Sequence, residues 1–231
     1  MKGIATTRLL LILLALSSLL TTGLITLVML KRQQMNIPVP QDMPGIGEAD
    51  DSLLMDGPMD LPAFSLLDSA GEPFGNEQLR GKVSIVSFIF TRCPGMCPAI
   101  TSQFAVLQQR LANTTFDDDI QLISISVDPD HDTPDVMAER ARLARADPDQ
   151  WHWVTGQRDA VRSLIRDGFK LVAEEATDPN AAEPIIHSGK FVLLDRQGRI
   201  RGYYDGLDAA SRHAMWNDMR RLLESAGGGS P

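Results

Sequence analysis

The sequence is poor in the residues that build most metal and disulfide frameworks. Of its 231 residues only two are cysteines, Cys93 and Cys97. With no second cysteine pair and no H-x₃-H spacing, a closed four-ligand zinc site lacks its donors. No cysteine precedes Cys93, so the chain lacks the modified cysteine that a lipoprotein carries directly after its signal. Positive charge is also short: 22 Lys and Arg stand against 30 Asp and Glu, which disfavours nucleic acid as a partner. All the acidic residues fall after Arg32, so the excess belongs to the part beyond the amino-terminal segment. Internal repeats are absent, and the length suits one domain with one sizeable core.

One long apolar run is present. Leu9 to Leu30 is uncharged and Leu-rich over 22 residues. As a helix rising about 1.5 Å per residue it would cover a bilayer core of about 30 Å. It leads into Met29-Leu30-Lys31-Arg32 with no small-residue cleavage site, so an uncleaved anchor is expected, preceded by residues 1–8. Lys2 and Arg8 balance Lys31 and Arg32, so charge alone leaves the orientation open. Residues 31–60 are rich in Pro, Gly, Met and acid without a period, and read as a flexible linker. Its Met35, Met43, Met55 and Met59 carry soft thioethers, but their irregular spacing reads as plain linker.

The expected domain spans 61–225, with 226–231 as a frayed tail. Leu61 to Phe74 carries two short apolar stretches around Asp68-Ser69-Ala70-Gly71 and reads as a β-hairpin. Val83–Phe90 and Ile120–Val127 are β-branched, apolar runs of the kind found in central strands. Between them Ile100, Phe104, Leu107 and Leu111 recur at helical spacing, with the helix beginning near Cys97-Pro98 and stopping near Asn113. Further helices are expected over Pro134–Arg145, Asp159–Phe169 and Asp208–Ser225, a short strand over Trp151–Val154, and a hairpin of Lys190–Asp195 with Ile200–Tyr204. The alternation predicts an α/β domain whose mixed sheet is flanked by helices.

The chemistry concentrates in Thr91-Arg92-Cys93-Pro94-Gly95-Met96-Cys97-Pro98, where a strand ends and a helix starts. Ligand sites favour that edge of an open sheet. The positive end of a helix stabilises a thiolate, and Arg92 would add to this if it turned inward. Cysteines four residues apart are near enough for a disulfide or for a shared metal, and either chemistry is open. A purely structural disulfide would staple only five residues and add little. Cu(I) accepts two thiolates plus an imidazole. Among His131, His152, His187 and His213, only His187 lies just ahead of an apolar strand at the end of a long polar loop.

Asp128-Pro129-Asp130-His131-Asp132-Thr133-Pro134 has carboxylates spaced like the start of a calcium loop. It lacks the glycine at position six and contains two prolines, so it reads as a capped helix entrance with Asp132 or Thr133 as N-cap.

The order of CPxxCP after a strand, SVDPDHDTP after the next, and a histidine before KFVLLDRQGRIRGYY resembles the Sco/SenC family of membrane-anchored copper chaperones. The resemblance covers about Leu61 to Glu224. It implies a thioredoxin-like fold and copper, Cu(I) or Cu(II), on Cys93, Cys97 and His187. It further implies a role in assembling the dinuclear copper centre of cytochrome c oxidase, in partnership with the oxidase's copper-centre subunit and a periplasmic copper donor. The domain would face the periplasm, with residues 1–8 on the cytoplasmic side, or the intermembrane space in a mitochondrion. Two positions depart from the family's pattern: Gly95 stands where Asp is common between the cysteines, and Ile186 where Asp is common before the histidine. Ligation survives both, while handover and redox tuning are the properties that such carboxylates touch.

A metallochaperone of this kind needs no turnover chemistry. The competing activity is a thiol–disulfide oxidoreductase in which Cys93 attacks and Cys97 resolves, reducing the cysteines of a copper-site client. Three residues between the cysteines argue against a general oxidoreductase of the C-x-x-C type. A thiol peroxidase would want Pro and Thr where this chain has Val86 and Phe90.

Overall fold

The computed structural model describes residues 53–171, 173–175, 185–187 and 189–227, with backbone alone at 173–175, 185–187 and 226–227. The expected anchor, the linker up to residue 52 and the tail from residue 228 lie outside the described residues. Among the described residues no helix is long and apolar enough to cross a membrane.

The strands are β1 (Ser65–Asp68), β2 (Pro73–Gly75), β3 (Val83–Ile89), β4 (Ile120–Ser126), β5 (Trp151–Thr155), β6 (Ala173–Glu175), β7 (Ile185–His187), β8 (Lys190–Leu194) and β9 (Ile200–Asp205). The helices are α1 (Met96–Leu111), α2 (Pro134–Ala144), α3 (Arg158–Ser163) and α4 (Ala209–Gly227). Seven strands form one sheet in the order β2-β1-β5-β4-β3-β8-β9, and β6 pairs with β7 apart from it. β3, β4 and β5 run parallel, and β8 joins β3 antiparallel, so the sheet is mixed. This is the helix-flanked, thioredoxin-like arrangement expected, with β3 and β4 at its centre.

All seven residues of both β3 and β4 are buried, including the polar Ser84, Ser87, Gln121, Ser124 and Ser126, as expected of central strands covered on both faces. Side chains on one face meet α1: the Phe104 ring lies 5.6 Å from Trp151 and 4.8 Å from Phe191 between centroids. α4 covers the same face, with the Tyr204 hydroxyl donating to Asp218 at 2.9 Å. On the other face Phe88 packs edge-on against Phe169, at 5.0 Å.

The helix expected over Asp159–Phe169 is interrupted. α3 gives way to a π-type turn over Leu164–Gly168, where a Cβ on Gly168 would press closely on the side chains of Leu164, Leu61 and Pro62. The Tyr203 hydroxyl then donates to the Phe169 carbonyl at 2.9 Å, fixing the start of the segment that leads to β6.

The stretch Leu53–Asp60, read from the sequence as the end of the linker, is held against the domain. Leu53 N–H donates to Asp218 Oδ2 at 2.9 Å. Met55 N–H donates to the Arg201 carbonyl at 2.7 Å, and Met59 bridges Ile200 in both directions. Met55 and Met59 pack on the core.

Candidate metal centre

Both cysteines are organised by Phe90, the first residue past β3. The Phe90 carbonyl accepts the Cys93 N–H at 3.3 Å, which turns the chain out of the strand. The Phe90 N–H donates to Cys97 Sγ at 3.5 Å. Cys97 belongs to the buried stripe of α1 with Ile100, Phe104, Leu107 and Leu111, so its thiol is aimed at the sheet. Cys93 lies in the preceding loop, 5% exposed, and Cys97 is 2% exposed. Two thiols are thereby held in one buried corner at the carboxyl edge of the central strand, with the amino terminus of α1 beside them. Gly95 is the N-cap of α1 and supplies no side-chain hydrogen bond to the helix entrance.

The neighbouring loop, between β4 and α2, clamps this one. Asp132 is fully buried and accepts from Thr91 N–H at 3.0 Å, from the Thr91 hydroxyl, and from the Ser126 hydroxyl at 2.6 Å. His131 Nδ1 meets Asp132 Oδ1 at 3.0 Å. Arg92 does not turn towards the thiols: its Nε donates to Asp128 Oδ2 at 2.7 Å, and half of its side chain faces solvent. The condition set from the sequence, an Arg92 turned inward, is therefore not met: its guanidinium is taken by a charge-assisted hydrogen bond to the buried carboxylate of Asp128.

Asp128, His131 and Asp132 bring one ligand atom each within 4.8 Å of one another. Each is engaged in the clamp, and the calcium-like spacing serves the helix entrance instead: Thr133 caps α2 by accepting from Val136 N–H at 3.5 Å, with Pro134 as first residue. Sequence reasoning missed Thr91, Asp128, His131 and Asp132 as partners of the cysteine loop. The available signal was that adjacent parallel strands, β3 and β4, deliver their carboxyl-end loops to the same edge.

His187 is the last residue of β7, paired opposite Ala173 of β6, and β8 begins three residues later at Lys190; what the sequence did not show is that a short strand of its own precedes β8. Three-residue strands carry too little periodicity to be read, and their pairing is settled only by the hairpin as a whole. The chain then reaches Gly189, whose carbonyl accepts the Gly206 N–H at 3.0 Å. A Cβ built on Gly189 would lie 3.4 Å from Met96 Sδ, so this segment passes against the residue that precedes Cys97. The backbone of His187 is two residues from that contact.

A buried pair of soft sulfur donors suits a soft monovalent metal, and an imidazole arriving from β7 would complete the kind of donor set that copper accepts. A family model described as SCO1/SenC matches residues 58–224. A protein of Stutzerimonas stutzeri named for copper binding is 30% identical over 143 residues, which cover 62% of this chain and 68% of that one. The solved structure of a SCO1/SenC family lipoprotein from Bacillus anthracis str. Ames is 29% identical, with a TM-score of 0.65 over 73% of this chain and 99% of that one. BsSco, described as a member of the Sco family of cytochrome c oxidase assembly proteins in which a disulfide switch was identified, is 25% identical, with a TM-score of 0.62 over 74% and 98%. With its cysteine corner on this sheet and a family match across nearly the whole domain, the chain belongs to the SCO1/SenC family.

Proposed function

We propose that this protein binds one copper ion through Cys93, Cys97 and His187 and passes it to the copper-centre subunit of cytochrome c oxidase during assembly of the dinuclear centre. The observation that carries the reading is the pair of buried cysteines tied to Phe90, Cys93 through its backbone N–H and Cys97 through its thiol. Two deprotonated thiols supply soft anionic donors and His187 a neutral one, a set that fits Cu(I) and tolerates Cu(II). Binding releases the thiol protons, so affinity rises with pH. Burial keeps water off the metal, while the loop position of Cys93 leaves a side from which a client's ligands can exchange. The named copper-binding relative and the oxidase-assembly role of BsSco support the cargo and the client. In the same reading Leu9–Leu30 anchors the chain in the cytoplasmic membrane, with the domain in the periplasm supplied by a copper donor there, or in the intermembrane space of a mitochondrion.

The test is an anaerobic copper titration of the reduced full-length chain beside Cys93→Ser, Cys97→Ser and His187→Ala. Wild type should bind one copper, each serine variant should lose tight binding, and His187→Ala should bind more weakly with an altered spectrum. An unchanged affinity and spectrum in His187→Ala would sink the three-ligand site. A second reading, reduction of a client's copper-site cysteines, draws on the disulfide switch of BsSco and on two buried thiols four residues apart where a loop enters α1. Disulfide reductase turnover without tight copper binding would favour it.

A further inference from the structure

Met96 is the first residue of α1 and stands directly before Cys97. It lies off the buried stripe of that helix and is half-buried. Its sulfur is turned to the segment arriving from β7, 3.4 Å from where a Cβ on Gly189 would be. A soft sulfur therefore sits beside Cys97, its neighbour on α1, and against the backbone that follows His187.

We infer that Met96 Sδ is a further donor to copper at this site, one that serves Cu(I) and not Cu(II); the inference rests on the Cys93, Cys97 and His187 reading. A thioether is soft and neutral, so it suits Cu(I) and has little to offer the harder Cu(II). Two thiolates already outweigh the single positive charge of Cu(I), and a neutral donor adds to the set without further repulsion. Packing against Gly189 asks for no sulfur, since leucine fills a similar volume. No bond to Met96 changes oxidation state in this role.

The test uses the full-length chain and its Met96→Leu variant, which keeps bulk and apolar character. Cu(I) affinity is read by anaerobic competition with a chromogenic chelator, Cu(II) affinity by direct titration, and the sulfur neighbours of Cu(I) by X-ray absorption at the copper edge. The expected result is a Cu(I) affinity lower by about tenfold, an unchanged Cu(II) affinity, and one sulfur neighbour fewer. An unchanged sulfur count overturns the inference whatever the affinities do, and an equal loss for both oxidation states assigns Met96 to packing. A wild-type chain that takes up no copper overturns the underlying copper reading instead, a result distinct from two chains that bind alike.

Discussion

At the scale of single residues, the cysteine corner depends on a carboxylate that no cysteine touches. Asp132 gathers the Thr91 N–H, the Thr91 hydroxyl and the Ser126 hydroxyl into one buried cluster. Asp132→Asn keeps the shape but replaces the charge and turns one acceptor into a donor. It should cost about 1.5 to 3 kcal/mol, the range for hydrogen bonds to a charged group. Denaturant midpoints would show the loss, and faster alkylation of Cys93 would show that the loop has loosened. His152 offers a separate pH test. Burial holds its pKa below the ordinary 6.5, with Lys82 adding to the effect and Asp68 and Asp149 opposing it. The unfolded chain therefore takes up the proton more readily, and stability is lost as pH falls through the unfolded value towards the folded one. His152→Gln should flatten the decline between about pH 7.5 and about pH 5, the span that brackets an ordinary histidine. Equal pH dependence in both proteins would show that His152 is not the group responsible.

At the scale of elements, legibility followed length. β3, β4 and α1 were read close to their observed bounds because seven buried strand residues, or an apolar stripe repeated over four turns, leave a local signature. β6 and β7 left none, and the π-type turn at Leu164–Gly168 is invisible to a helical pattern that merely slips by one residue. The junction of β7 and β8 can be probed through Gly206. A Cβ there would lie 2.8 Å from the Gly189 carbonyl oxygen and 2.6 Å from the Phe191 ring. Gly206→Ala should cost about 1 to 3 kcal/mol by overpacking. It should also weaken copper binding by displacing the segment that follows His187. Full stability with unchanged binding would show that this junction yields without consequence.

For the molecule as a whole, the boundary of the domain lies earlier than composition suggests. Proline, glycine and acid up to Asp60 look like linker, yet Leu53 is bonded to Asp218 and Met59 to Ile200. Asp218 is completely buried and also accepts from Tyr204, whose own pKa is driven upward by burial and then by that carboxylate. Removing Leu53–Asp60 should cost about 1 to 3 kcal/mol from the lost hydrogen bonds and the acceptor left short of a donor. Comparing thermal midpoints of chains that begin at residues 49 and 61 measures it. Equal midpoints would return the segment to the linker.

What the sequence by itself determined is the cysteine pair at a strand-to-helix edge, the alternating order of elements around it, and the family motifs. Each is carried by residues within a few positions of one another or by their order along the chain. Only the tertiary structure decided what surrounds the pair. Thr91 and Asp132 are 41 residues apart, and Met96 opens α1 while Gly189 lies between β7 and β8. Leu53 and Asp218 stand at the two ends of the domain. Contacts of that kind leave no local period, because they form only when parallel strands deliver their loops to one edge and a short hairpin folds back beside it.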